Sequence, residues 1–143
     1  MPYAHRPIHD ADAHVMEMAD WLHPHADPEL ESRLAKIDIG GVSPEEQKRL
    51  EKFRGLHRDP EYRARDEAEL MLRKNWAATG SFLKEDRPLA IDLLGFDSQL
   101  IFNTFHNSRL YRWERSGDLE LAYGTARAHN LGMIEFCSAD PRL

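Results

Sequence analysis

The segment Ile8-His9-Asp10-Ala11-Asp12-Ala13-His14-Val15, near the start of a sequence of 143 residues, has the alternating pattern of a β-strand. Alternate side chains of a β-strand point to opposite faces. This period puts Asp10, Asp12 and His14 on one face with Ile8, and it puts the other four residues on the opposite face. A mostly polar face is typical of a strand that points its side chains into a site. The pattern therefore predicts a first strand over residues 6–15.

Asp12 and His14 are the candidate chemical residues of this strand. Residues two apart on a strand point the same way and lie roughly 6.5–7 Å apart along the backbone, so their side chains can converge. Imidazole nitrogen with carboxylate oxygen suits zinc, manganese or iron. Spacing alone supports equally well a polar segment that is simply rich in aspartate and histidine. Catalytic zinc sites usually have three protein ligands, so the pair would be half of a site.

Composition excludes several classes of protein. Acidic residues outnumber basic ones by 25 to 19, which disfavours a nucleic-acid-binding role because phosphate binding needs clustered positive charge. Cys137 is the single cysteine, so the chain has no internal disulfide and no cysteine-rich metal site, as expected in the cytoplasm. Neither a signal-peptide run over residues 1–6 nor a stretch of 18 apolar residues is present, so we expect no membrane association.

Residues 17–78 form a charged zone with three legible helix starts. Asp27-Pro28, Ser43-Pro44 and Asp59-Pro60 each place a capping side chain before a proline at the first helical position, and Glu46 can complete a capping box. Gly40-Gly41 separates the first two helices. The apolar stripes of this zone are thin, and we expect them to comprise Leu50, Phe53, Tyr62, Ala68, Met71 and Trp76. These helices are too polar to form a core alone, so we expect them to pack over a larger part of the protein.

Residues 87–105 predict one helix-to-strand step. A helix over residues 88–94, with Leu89, Leu93 and Leu94 inward, ends at Gly95. The apolar run Gln99–Phe102 is typical of a strand buried on both faces of a parallel sheet. The residues that follow it, 103–106, could border a pocket or serve as turn and packing residues.

Residues 118–137 predict a long helix. Its apolar stripe recurs every three or four residues, and we expect it to comprise Leu119, Ala122, Tyr123, Ala126, Asn130, Met133, Ile134 and Cys137. Gly124 and Gly132 each cost about 1 kcal/mol against alanine, which indicates close packing against a neighbour. Cys137 is a core residue in this interpretation. We expect the remaining histidines to be packing or surface residues, and His23 and His25, separated by a proline, to lie in a solvated loop.

Three segments in order resemble one family. Residues 8–17 resemble the first-strand motif of amidohydrolase-related proteins, the (β/α)8-barrel group that includes aminocarboxymuconate semialdehyde decarboxylase. Gly80-Ser81-Phe82, Arg87, residues 92–96 and residues 99–104 resemble the second αβ step of that group. Residues 121–130, 135–137 and 139–141 resemble the long helix before its third strand. The resemblance covers most of the chain outside the charged helical zone.

The resemblance implies a divalent-metal enzyme. It assigns Asp12 and His14 as the first two ligands of a metal ion, zinc before manganese or iron, and it gives Glu17 a supporting role. It implies a small-molecule substrate, and later strands that supply a further histidine and an aspartate that moves the proton. Such barrels take about 250 residues, so 143 residues are too few for all eight units. By the resemblance, we expect Leu143 to lie where the third strand would begin.

The expected fold is therefore α/β, the N-terminal fragment of a (β/α)8 barrel that is mostly helical, with two short parallel strands. Residues 1–143 form one partial domain: first strand 6–15, helical insertion 17–78, helix-strand step 87–105 and long helix 118–137. The expected function is part of a metal-dependent hydrolase or non-oxidative decarboxylase, incomplete as a catalyst. The alternative is a catalytically silent helical interaction module, or a truncated gene product. A two-strand fragment exposes its edges and leaves its strands uncovered on one face, which predicts instability, self-association or a missing barrel half as partner.

Overall fold

The computed structural model describes residues 5–34, 43–69, 72 and 75–143. Within these ranges the chain is mostly helical and has two short parallel strands, which agrees with an α/β class. Its elements in order are β1 (His9–Val15), α1 (Pro28–Leu34), α2 (Pro44–Leu56), α3 (Pro60–Glu69), α4 (Arg87–Leu94), β2 (Ser98–Asn103), α5 (His106–Arg115) and α6 (Leu119–Cys137). None of the helices in the described ranges is long and apolar enough to cross a membrane.

The three proline-led helix starts are confirmed at α1, α2 and α3. Ser43 and Glu46 form the predicted capping box, in which each side chain bonds the backbone N–H of the other residue. Asp27 and Asp59 accept backbone N–H groups three residues ahead, at 2.8 and 2.9 Å. The predicted break at Gly40-Gly41 and the stripe residue Met71 lie outside the described residues.

The two strands pair in parallel, with a bulge in β1. Asp10 is opposite Gln99, but the next pair along is Ala13 opposite Ile101, so three steps of β1 match two steps of β2. An extra residue of this kind locally reverses the alternation of side chains. The uninterrupted period predicted for residues 6–15 is therefore wrong at its centre, and β1 itself begins only at His9.

One face of the sheet is covered and the other is open. Ala13, Val15 and Ile101 pack against Phe136 of α6 in a single cluster. On the opposite face, Leu100 is 58% exposed and Phe102 is 41% exposed. Burial of β2 on both faces, which its apolar run favours, is not found in the described chain, because α4 and α6 cover only one side. The open face agrees with the prediction that a two-strand fragment leaves its strands uncovered on one face.

The inward faces of α4 and α6 differ from those predicted. In α4 the fully buried apolar residues are Ala90 and Ile91, whereas Leu93 is exposed. In α6 the predicted stripe residues Leu119, Tyr123 and Ile134 are more than half exposed. The buried face of α6 is rotated from that stripe and comprises Leu121, Ala122, Gly124, Thr125, Ala128, His129, Gly132 and Phe136.

The glycines of α6 do permit close packing, as predicted. Gly124 lies against Leu30 of α1, and a Cβ on Gly132 would lie 2.9 Å from Cε2 of the Trp21 indole. Trp21 also donates a hydrogen bond from Nε1 to His129 Nδ1 at 3.2 Å. Gly132 is therefore the point where the loop after β1 presses on α6.

We predict opposite effects for two glycine-to-alanine substitutions. Gly132→Ala should lower the free energy of unfolding by about 1–2 kcal/mol, because overpacking against Trp21 exceeds the gain in helix propensity. Gly55→Ala in α2 should raise it by roughly 0.5–1 kcal/mol, because a Cβ at Gly55 meets nothing within 4 Å. Urea denaturation followed by circular dichroism measures both. Stabilisation by Gly132→Ala would contradict the close contact with Trp21.

Candidate metal centre

The bulge in β1 leaves Asp12 and His14 together on the open face of the sheet. His14 lies opposite Phe102, whose side chain is on that face, and the two rings are 6.0 Å apart. Nε2 of His14 is 3.3 Å from Oδ1 of Asp12, and the two side chains are 42% and 87% exposed. The structure therefore brings the predicted pair together at an accessible position.

The ring of His14 is oriented by a backbone carbonyl at the end of β2. Nδ1 lies 2.9 Å from the carbonyl oxygen of Asn103. A carbonyl can only accept, so Nδ1 carries the proton, and in the neutral ring the lone pair is on Nε2. That lone pair is on the nitrogen nearest the Asp12 carboxylate. Histidine ligands of metals are commonly fixed in this way through their second nitrogen.

The donor set fits a divalent cation. Nε2 of neutral His14 and Oδ1 of Asp12 are both acceptors, and a cation relieves the repulsion between two acceptors 3.3 Å apart. Two ligands each about 2.1 Å from a tetrahedral zinc ion lie about 3.4 Å from one another. The alternative is a doubly protonated His14 that forms an exposed ion pair, which contributes little to stability.

Asp10 is not on the face expected from the sequence. Because of the bulge, it lies beside Gln99 on the covered side of the sheet, and Nε2 of Gln99 donates to its Oδ2 at 3.0 Å. Its Oδ1 accepts the backbone N–H of Asp12 at 3.0 Å. Asp10 thus contacts the backbone of the pair, while its carboxylate is used for holding the strand.

Glu17 occupies a supporting position. Its carboxylate is buried and accepts three backbone N–H groups at the start of α5, from Thr104 at 2.8 Å, Phe105 at 3.0 Å and His106 at 3.3 Å. A carboxylate at a helix N-terminus is stabilised by these otherwise unsatisfied donors. The hydroxyl of Thr104 in turn donates to the carbonyl of Val15 at 2.8 Å. Glu17 therefore fixes the turn that holds His14.

An open cavity of about 500 Å³ lies along β1. Asp12 and His14 line it together with Arg87 of α4 and with polar residues of the segment before α4, namely Asn75, Thr79 and Ser81. Arg87 is buried, and burial lowers the pKa of its guanidinium while the nearby Asp10 carboxylate opposes that shift. Asp10, Ala90 and Gln99 also line it, so the cavity extends from the α4 side of β1 to the Asp12–His14 pair.

The other histidines and Cys137 do not join this site. His23 and His25 lie in a short 3-10 turn, where each contacts a separate carboxylate, Glu31 and Glu135 respectively. His57, His106 and His129 are buried, and Cys137 packs beside the cluster around Phe136. In the described part of the chain, no group of three or more His, Cys, Asp or Glu side chains is arranged to hold a metal ion.

Sequence reasoning missed the residues that support the pair. The carbonyl of Asn103 carries no signal in the side-chain pattern, and Arg87 entered only as part of a resemblance. Residues 103–106, for which the sequence favours either a pocket border or turn and packing roles, form a turn that holds His14 and begins α5.

Comparison of the chain with protein-family models, with curated proteins and with solved structures gave no match.

Proposed function

We propose that this chain is the N-terminal part of a divalent-metal-dependent hydrolase or non-oxidative decarboxylase of the amidohydrolase-related group, with Asp12 and His14 as two metal ligands. The observation that carries the proposal is the convergence of His14 Nε2 and Asp12 Oδ1 at 3.3 Å while Nδ1 is bound to the Asn103 carbonyl. The acceptor pair is accessible, lies on an open sheet face and borders a cavity.

The orientation of the sheet supports a barrel origin for these elements. In such barrels helices cover the outer face of parallel strands, and the inner face is filled by side chains of all strands. Here the helix-covered face holds Ala13, Val15 and Ile101. The open face holds the Asp12–His14 pair with Leu100 and Phe102, apolar residues that further strands would cover. His14 is close to the carboxyl end of β1, the end at which barrel enzymes keep their sites.

The last residues of the chain also support a third parallel strand. After α6 the chain returns to the outer edge of β2, where the Gln99 N–H donates to the carbonyl of Arg142 at 2.9 Å. Arg142 is fixed there by ion pairs with Asp140 and with Asp92 of α4. Leu143 packs beside the cluster that contains Ile101. A strand that continued from Leu143 would extend this pairing along β2.

The chemistry follows from the donor types. A divalent metal at the pair would supply Lewis acidity toward a substrate oxygen. Asp12 and His14 bind and orient the ion, and the Asn103 carbonyl keeps the lone pair of His14 on Nε2. The substrate is a small molecule, and the remaining ligands and the proton-moving aspartate would come from later strands in this proposal.

We predict that the chain binds zinc or manganese through this pair. Isothermal titration should give one weak site in the chain and a loss of affinity of roughly a hundredfold in the Asp12→Ala/His14→Ala variant. His23→Ala/His25→Ala is the matched control, because it removes two histidines that contact other carboxylates, and it should leave the affinity unchanged. Equal weak binding by the chain and by the Asp12→Ala/His14→Ala variant would remove the metal role.

The second candidate function is a catalytically silent interaction module. The observation that favours it is the apolar surface of α5 and α6, where Tyr111, Leu119 and Tyr123 are exposed around a groove of about 270 Å³. Ile134 continues this exposed side of α6. Self-association through this surface would predict a dimer that Tyr123→Glu dissociates in analytical ultracentrifugation. The downstream DNA separates the two candidates, since strands that bear histidine and aspartate would favour the enzyme.

A further inference from the structure

Arg87 of α4 is a buried cation that contacts the strand of the candidate site. It is 7% exposed. Nη1 donates to the carbonyl of His14 at 3.2 Å and to that of Gly80 at 2.9 Å, and Nε donates to Gln99 Oε1 at 2.9 Å. Among the described residues these acceptors are all neutral oxygens. A cation is costly to bury. The nearby Asp10 carboxylate opposes part of that cost, while the donors of Arg87 bond oxygens that fix the backbone of β1 and the turn at Gly80.

The hydrogen bonds continue from Gln99 to the other half of the pair. The amide of Gln99 accepts from Arg87 and donates to Asp10 Oδ2 at 3.0 Å. Asp10 Oδ1 then accepts the N–H of Asp12 at 3.0 Å. Arg87 therefore reaches the backbone of His14 directly and the backbone of Asp12 through two side chains.

The bulge in β1 explains why the backbone near Asp12 and His14 needs these additional hydrogen bonds. At the bulge, between Asp10 and Ala13, the ladder of β1 with β2 is interrupted, so the backbone at Asp12 lacks the regular pairing that fixes a strand. A metal pair tolerates little displacement, since ligand positions need to be kept within about 0.5 Å. The hydrogen bonds from Asp10 and Arg87 supply the restraint at the two residues that carry the ligands.

We propose that Arg87 is the positioning residue of the Asp12–His14 pair and that Gln99 and Asp10 transmit its hold to the bulge. This inference rests on the proposed metal function, because Arg87 would position two metal ligands. The hydrogen bonds of Arg87 that support it are present in the metal-free chain. Arg87 touches neither ligand side chain. It acts through the backbone, which sets where the two side chains point.

The test compares Arg87→Gln with a matched control. Arg63→Gln is the control because Arg63 also donates to a backbone carbonyl, that of His57, and to a side chain, Asp86, away from β1. Both variants should lose stability in urea denaturation. Arg87→Gln alone should weaken cobalt binding about tenfold at a temperature where circular dichroism reports a folded chain. It alone should also increase ¹⁵N relaxation-detected motion of the Asp12 and His14 amides without metal.

A pair of Asp10 variants keeps the inference testable if Arg87→Gln does not fold. Asp10→Ala removes the acceptor of the Asp12 N–H, whereas Asp10→Asn keeps an oxygen there. We expect Asp10→Ala to weaken cobalt binding about tenfold and to mobilise the Asp12 amide. Asp10→Asn keeps an oxygen for the Asp12 N–H but turns its NH2 group toward Nε2 of Gln99, so its losses should be about half as large. Equal losses in the two would make Asp10 a ligand and would overturn its positioning role.

The outcomes separate this inference from the proposed function. If the unmodified chain binds no cobalt, the metal function fails, and the relaxation of Asp12 and His14 in the metal-free variants still decides the role of Arg87. If the unmodified chain binds cobalt and folded Arg87→Gln matches it in affinity and in amide relaxation, the positioning role is overturned while the metal function stands.

Discussion

Replacement of Glu17 by alanine should lower the free energy of unfolding by about 3–5 kcal/mol, the largest effect we expect from any single substitution. The buried carboxylate accepts the N–H groups of Thr104, Phe105 and His106. Charge-assisted hydrogen bonds are worth about 1.5–3 kcal/mol each, and a buried donor left without an acceptor costs about 1–3 kcal/mol. A small domain has only about 5–15 kcal/mol of stability in total.

Two further variants give this prediction its controls. Glu17→Gln keeps one acceptor oxygen but turns an NH2 group toward backbone donors, so it should lose about half as much stability. Glu114→Ala removes an exposed carboxylate from α5, the helix that Glu17 caps, and should change stability by less than about 0.5 kcal/mol. Urea denaturation monitored by circular dichroism measures all three. A loss below 1 kcal/mol in Glu17→Ala would mean that α5 does not depend on this cap.

Acidification should destabilise the chain through His106. This residue is completely buried, and neither ring nitrogen has a hydrogen-bond partner among the described residues. Burial, followed by the charges of Arg109 and His129, lowers the pKa of His106 to about 3. Burial also lowers the pKa of His129, against the opposing charge of Glu17. Protonation of the His106 imidazole is therefore unfavourable in the folded chain.

The sign of the pH dependence follows from this lowered pKa. Below pH 6.5 the unfolded chain binds a proton at His106, and the folded chain does not until about pH 3. The free energy of unfolding therefore falls as the pH falls through this window, by about 1.4 kcal/mol per pH unit for one histidine. By pH 4 the loss from His106 reaches about 3 kcal/mol. At neutral pH and above, its contribution is constant.

His106→Leu should reduce the slope of the free energy of unfolding against pH, because the unfolded chain then binds one proton fewer. His57 and His129, whose pKa values burial also lowers, would still contribute in the same direction. The unmodified chain, measured over the same pH range, gives the reference slope. Urea denaturation at pH 4 to 7 provides the measurement. An unchanged slope in His106→Leu would show that the unfolded and folded chains bind the same number of protons there.

Local sequence signals predicted much of the fold. Proline after a capping Ser or Asp identified the starts of α1, α2 and α3, because those residues satisfy helix-end donors in the sequence itself. Gly95 identified the end of α4 and has the left-handed conformation that favours glycine there, with φ 73°. These features depend on neighbours along the chain and not on distant contacts.

Features that depend on tertiary contacts were not predicted. Helix α6 has apolar residues on several sides, so the stripe at three- and four-residue spacing did not identify its buried face, which is set by contact with Trp21 and Leu30. Polar residues on its buried face conceal that face: Thr125 bonds the Leu121 carbonyl and His129 accepts from Trp21. Helix α5 was missed altogether, since its start is capped by Glu17, a residue 89 positions before His106.

The candidate site shows the same division. Asp12 and His14 follow from a spacing of two: Asp12 lies at the bulge and His14 beyond it, and both side chains are on the open face. The face assigned to Asp10 was wrong because a bulge has no signature in a pattern of alternating residues. The carbonyl of Asn103 and the side chain of Arg87 reach His14 from the second strand and from α4, which only the folded chain brings near.

Proton NMR of the cobalt-loaded chain tests whether Asp12 and His14 together bind a metal ion. If Nε2 of His14 binds the ion, Nδ1 keeps its proton on the Asn103 carbonyl. We predict a paramagnetically shifted, exchangeable imidazole N–H resonance that disappears in His14→Ala and persists in His9→Ala. A cobalt-bound chain with no such resonance, or one whose resonance survives His14→Ala, would contradict the assignment of Asp12 and His14 as a metal pair.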